Sequence, residues 1–203
     1  TYLDSLGTVN PDTAVEVQKW PDNTVKRAFL SFGVLGNAFA NCKKVAMVNL
    51  APLQCKPGGV IMGLTAQDGA GNNIVLAIGF AENETESSWE WFLENAEAAL
   101  PGLNAPGVTV MHDRGKFFTS ACKNKLPLAV QSMCFSYLVR LMKEKVKLDK
   151  REIELLRAAA KACNEDDFKR AMDNLKKTHD TLYETLSQID PKLWALAHSP
   201  VPR

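Results

Sequence analysis

The chain predicts a mixed α/β fold: a five-stranded mixed sheet in the order βββαβαβ with helices on its faces, followed by an all-helical appendage. Three observations predict it. Short apolar runs bounded by turn residues recur over residues 45–81, two stretches with helical spacing alternate with the later runs, and beyond Leu138 only helical spacing remains. At 203 residues and 46% hydrophobic content, the chain is long enough to bury one sizeable core. The expected organisation is a lead-in of helices or linker over 1–42, the α/β core over 43–137 and the helical segment over 138–203.

Each element rests on its own pattern. Residues 25–41 (VKRAFLSFGVLGNAFAN) set Val25, Phe29, Phe32 and Phe39 among small residues, which predicts a short helical or irregular lead-in. Residues 45–50 (VAMVNL) are continuously apolar apart from Asn49, as in a strand covered on both faces. Two further apolar runs, 59–66 and 73–81, flank QDGAGN, whose Gly and Asn residues accept positive φ, so an antiparallel hairpin is expected. In the next stretch Trp89, Phe92, Ala96 and Ala99 share one helical face. Ser87 is the predicted N-cap, with Glu90 completing a capping box. Pro101 and Gly107 bound the break before a fourth strand, 108–112, which runs into Asp113 and Arg114. A helix over 116–124 and a fifth strand over 129–135 complete the core. Further on, Asn164 is placed to cap a helix with Asp167 at N3. Phe168, Ala171, Met172, Leu175, Leu182 and Leu186 then follow at helical spacing, and Asp190-Pro191 opens a last short helix containing Trp194.

Composition narrows the function classes. No apolar run reaches the roughly 18 residues of a membrane span. The five cysteines (Cys42, Cys55, Cys122, Cys134, Cys163) are odd in number and show no close pairs, which suits reduced thiols inside the cell rather than a disulfide framework. The start, Thr1-Tyr2-Leu3, has no initiator Met and no leader pattern, so the chain reads as a piece of a longer protein. Net charge is +1, yet residues 1–115 hold 7 basic and 12 acidic side chains while 116–203 hold 17 and 11. Any attraction to nucleic acid therefore belongs to the second half, around Lys143, Lys145, Lys147, Lys150 and Arg151. Glu144, Asp149, Glu152 and Glu154 interleave with these cations, the ordinary pattern of a solvated helix face, so a protein partner ranks ahead of non-specific nucleic acid.

Several stretches, taken together in order and spacing, carry a family likeness: 29–33 (FLSFG), 42–45 (CKKV), 58–61 (GGVI), 66–69 (AQDG), 76–84 (LAIGFAENE), 86–93 (ESSWEWFL) and 110–114 (VMHDR). Residues 29–194 resemble the transposase domain of Mutator-like elements, the MULE domain, whose fold is RNase H-like and of the DDE type. The resemblance implies phosphodiester cleavage and strand transfer by two Mg²⁺ or Mn²⁺ ions held by carboxylates at strand ends. Its first acid maps onto Asn49, in 48–53 (VNLAPL), where the family carries a pattern like Val-Asp-Gly-Thr-His-Leu. Its second acid maps onto Asp113. Its third, a Glu, lies beyond the helical insertion and past Arg203. A Cys-x-x-His element of the family is here Cys134-Phe135-Ser136-Tyr137, with the His replaced.

The replacement of Asn49 and its neighbours together indicates decay of the acidic site. An amide can ligate a metal but carries no charge, and one unit charge 4 Å from another is worth roughly 4 kcal/mol at an effective dielectric near 20. The reading is therefore a catalytically inactive, domesticated domain that binds a protein partner within a larger intracellular, nuclear regulator or effector. It expects no cofactor and no metal, and leaves oligomeric state open. The alternative is a Mg²⁺- or Mn²⁺-dependent transposase or nuclease in which Asp68 or Glu82 stands in for Asn49. Plainer roles are expected elsewhere: His112 as a hydrogen-bonded strand residue, His179 and His198 without a metal-ligand partner, Trp89 and Trp91 as core packing, and Cys134 as a small buried hydrophobe.

Overall fold

The computed structural model describes residues 2–10, 12–54, 56, 58–113 and 115–201. Cys55 and Arg114 lie outside the described residues. The chain forms two compact units, 1–131 and 132–203.

In the first unit, β3 (Val45–Pro52), β4 (Val60–Gln67) and β5 (Asn73–Ala81) form the expected antiparallel meander. The β4–β5 turn is closed locally. The Asp68 carboxylate accepts from the Asn72 backbone N–H at 2.8 Å and from its Nδ2 at 2.9 Å, while Gly71 adopts φ 90°. These two donors hold the Asp68 carboxyl below its ordinary range. Next come α3 (Glu86–Ala99), β6 (Thr109–His112), α4 (Lys116–Lys125) and β7 (Val130–Met133). β6 lies parallel to β3, so the five expected strands stand in the order β5-β4-β3-β6-β7.

The sheet has seven strands rather than five. Residues expected to be helical or irregular instead form β2 (Val25–Ser31), which pairs antiparallel with β5 and with an additional edge strand, β1 (Ala14–Lys19). Alternation explains the outcome: Arg27, Phe29 and Ser31 face the core while the residues between them are more exposed. The helical part of the lead-in begins only at α2 (Gly33–Ala40), and a further helix, α1 (Tyr2–Val9), precedes the sheet.

The α3 cap also differs from expectation. Thr85, not Ser87, is the N-cap, accepting from the Ser88 backbone N–H at 3.1 Å. The carbonyl and hydroxyl of Ser87 instead receive the Arg27 guanidinium at 3.0 and 3.2 Å, a contact no local pattern signals. Glu86, Glu90 and Glu94 recur every four residues on one side of α3 and accept from Ser120, Asn124 and Lys125 of α4, tying the two helices together. Phe29, Met62, Leu64, Leu76, Phe92 and Leu100 form the centre of this unit's core.

Burial leaves a chemical signature on α4. Cys122, fully buried, has its thiol pushed up to about 12 by loss of hydration. It is expected to resist iodoacetamide near pH 8 while exposed Cys163 reacts. Peptide mapping by mass spectrometry checks this, and rapid native-state alkylation of Cys122 would contradict it. Because the folded-state value is raised, the contribution of Cys122 to stability is intact below its unfolded value of 9.0 and is lost as pH climbs towards about 12.

The second unit is the expected helical appendage: α5 (Phe135–Lys145), α6 (Lys150–Lys161), α7 (Glu165–Thr178), α8 (Asp180–Ser187) and two short 3-10 turns, Pro191–Leu193 and Leu196–His198. Its core joins Leu138, Met142, Leu156, Leu175, Leu182 and Trp194. Asn164 caps α7 by accepting from Asp167 N–H at 2.8 Å, and Asp190 accepts from Lys192 N–H at 3.0 Å ahead of Trp194, as the sequence predicts. Among the described residues no helix is long and apolar enough to cross a membrane.

Candidate functional site

The parallel β3–β6 pairing runs from Val45 opposite Thr109 to Met47 opposite Met111. Asn49 lies two residues beyond this paired stretch on β3, and Asp113 is the residue that follows β6. Both line a cleft of about 200 Å³ at these strand ends, with Val48 and Leu50 beside Asn49 and with Trp89 and Phe118 as aromatic wall. The two positions singled out in the sequence are therefore brought together, and each is exposed to solvent.

The cleft holds a carboxylate that sequence reasoning missed. Glu84, in the β5–α3 connection, lines it alongside Asp113 and His112. Its Oε1 accepts from the Trp89 indole N–H at 3.2 Å, and a Cβ built on Gly115 would stand 3.3 Å from the same oxygen. Gly115 is the N-cap of α4 and offers no side chain, so the Glu84 carboxylate sits by the positive end of that helix. A signal was present in the sequence: a Trp buried on α3 needs an acceptor for its N–H, and Glu84 is five residues away.

The substitutes considered for Asn49 lie elsewhere. Glu82 is engaged by Arg27, with Nε to Oε2 and Nη2 to Oε1 both at 3.3 Å, and Asp68 closes the β4–β5 turn. Neither lines the cleft. His112 is 4% exposed and stacks on Phe118 with ring centres 4.5 Å apart, so it is packed into the strand. Trp89 packs edge-on against Phe92 and Phe118, and Trp91 against Phe29.

In the second unit, Cys134 is the half-buried N-cap residue of α5, and Arg140 stacks over Tyr137 at 5.1 Å. His179 caps α8, its Nδ1 accepting from Leu182 N–H at 3.1 Å, and its Nε2 lies 3.7 Å from Glu152. Nε2 of His198 lies 3.3 Å from Glu165. Lys143, Lys145, Lys147, Lys150 and Arg151 are all exposed and cluster in the α5–α6 connection. Asp149 and Glu152, interleaved with them, form the capping box of α6.

Sheet order, parallel β3–β6 pairing and a cleft at the strand ends define an RNase H-like core. Residues 55–141 match the family model of the MULE transposase domain, so this stretch of the chain is similar to that domain. The match includes Glu84 and Asp113 and begins after β3, so it does not reach Asn49, which is tied to Asp113 only by lining the same cleft. No curated protein matches the chain.

The cleft's donors test the metal chemistry the family implies. Two carboxylates face it, Glu84 and Asp113, and one Glu84 oxygen is already directed to Trp89. Among the described residues no group of three or more His, Cys, Asp or Glu side chains is placed to hold a metal ion. This donor set does not fit a pair of divalent cations, each of which takes six or more oxygen ligands with carboxylates prominent among them.

Proposed function

We propose that this is a catalytically inactive, domesticated MULE transposase domain serving as a binding module, with a protein partner, inside a larger intracellular, nuclear regulator or effector. The observation that carries the reading is the neutral amide of Asn49 lining the same cleft as Asp113. Stabilising the charge that develops in phosphodiester cleavage needs converging carboxylates and their ions. Substituting an amide for one acid removes roughly 4 kcal/mol of attraction per unit charge at 4 Å and an effective dielectric near 20, and more against a divalent ion.

Supercoiled plasmid incubated with the chain in Mg²⁺ or Mn²⁺ is expected to remain uncut, and calorimetric titration to show no micromolar Mn²⁺ affinity. Cleavage or such affinity that disappears in Asp113→Ala would overturn the proposal. One observation favours a second reading, a residual nuclease: Glu84 sits in the cleft beside Asp113. In that case Glu84→Gln would also abolish cleavage, whereas Glu82→Gln would not.

Residual nucleic-acid binding is non-specific and runs through the exposed Lys143, Lys145, Lys147, Lys150 and Arg151, so it weakens steeply with salt as the entropy gained by releasing phosphate counterions shrinks. Anisotropy titrations at two salt concentrations check this, comparing the chain with a variant carrying Lys143→Glu, Lys145→Glu and Lys147→Glu. Binding indifferent to both salt and charge would contradict it.

A further inference from the structure

The second unit carries a groove of about 310 Å³ between α7 and α8, floored by Phe168, Met172, Leu186 and Trp194. Its α7 border is charged in strict alternation. Glu165, Lys169 and Asp173 line it, and Lys176 follows one turn on, its ammonium 5.2 Å over the Tyr183 ring. Spacing of three or four residues would permit ion pairs within the helix. Yet among the described residues neither Lys169 nor Asp173 has a salt-bridge partner, and Glu165 is directed to His198.

A border reading minus, plus, minus, plus becomes its own complement when reversed. We infer that α7 docks antiparallel on α7 of a second copy of this chain, about a two-fold axis passing near Arg170 and Ala171. A two-fold axis perpendicular to α7 reverses one helix against the other, which brings Lys169 of each copy to Asp173 of the other and Glu165 of each to Lys176 of the other. Both kinds of pair are centred on the same stretch of α7, as one axis requires. A parallel arrangement in register would set like charges face to face.

The apolar floor between the borders supplies the attraction: Phe168 and Met172 are only half-buried and would be covered by the partner helix. Exposed ion pairs add little net attraction, so their part is to select the antiparallel register. A 14-residue helix is roughly 21 Å long, which makes a small interface and a weak, concentration-dependent dimer.

Sedimentation of the full chain up to about 200 µM tests this, a range in which a weak interface of this size self-associates. The unaltered chain is expected to dimerise. Lys169→Asp alone or Asp173→Lys alone should weaken that by about tenfold or more, since each sets two like charges opposite one another. An equimolar mixture of these two single variants should dimerise again, because every facing pair is then opposite in charge, and the double variant Lys169→Asp with Asp173→Lys should self-associate as the unaltered chain does. Both side chains are exposed, and far-UV circular dichroism confirms that each variant folds. A chain monomeric throughout, including one that takes up an apolar ligand in the groove without dimerising, overturns the inference. So does a dimer indifferent to the single variants, or single variants that fail to associate when mixed.

Discussion

Replacing Arg27 with alanine is expected to lower the unfolding free energy by about 3 kcal/mol, the low end of the range for breaking a buried ion pair, because Glu82, 24% exposed, keeps part of its hydration. Arg27 is 6% exposed, and its guanidinium meets both oxygens of Glu82 as well as the carbonyl and hydroxyl of Ser87. Alanine would strand the Glu82 carboxylate and the Ser87 carbonyl without these donors in a poorly hydrated place, and that desolvation, rather than the lost Coulomb attraction, sets the size of the effect. Arg27→Met combined with Glu82→Leu should recover most of the loss, because no charge then remains buried. Urea denaturation of the three proteins measures it. A cost below about 1 kcal/mol for the alanine variant would show that Glu82 is adequately hydrated by itself. The cluster also bears on the cleft, since Glu82 begins the connection that carries Glu84 and leads into α3.

Phe92→Ala should cost about 3–5 kcal/mol, through lost burial and the cavity left behind. Phe92 is fully buried and packs edge-on against Phe29 at 5.7 Å and Trp89 at 5.9 Å, joining the sheet to the aromatic wall of the cleft. It lies directly over β5 because residue 79 is glycine: a Cβ there would stand 2.5 Å from Cδ2 of Phe92. Gly79→Ala should therefore cost about 1–3 kcal/mol by overpacking. Adding Phe92→Leu to it should cost less than the two single changes summed, since the smaller side chain relieves the collision. Thermal or urea unfolding of the three variants tests this, and strict additivity would contradict the proposed contact.

Strands β3 to β7 and helices α3 and α4 were legible because their signals are local: continuous apolar runs, a Gly- and Asn-rich turn, and aromatic residues spaced on one helical face. The β1–β2 hairpin was not. Its strands carry Glu16, Lys19, Lys26 and Arg27, and the buried face of β2 sets Arg27 and Ser31 around the single apolar Phe29, so no apolar alternation marks it and its pairing with β5, some 50 residues further along the chain, makes it a strand. The α3 cap moved from Ser87 to Thr85 for the same kind of reason, because Arg27 occupies the hydroxyl that a local reading assigns to the helix end.

At the candidate site, the sequence by itself indicated that Asp113 follows a strand and that Asn49 belongs to another, although β3 runs three residues past Asn49 to Pro52. Only the tertiary structure decided which further acid joins them. Glu82 and Glu84 are two residues apart and chemically alike, and nothing within that segment separates their roles. Arg27, 55 residues away from Glu82, takes that carboxylate, while Glu84 turns to the Trp89 indole and the start of α4. Apolar periodicity is written into neighbouring residues and can be read from them. The partner of a charge is set by whichever opposite group or hydrogen-bond donor the folded chain brings within about 3 Å, and that depends on strand pairings formed across long separations.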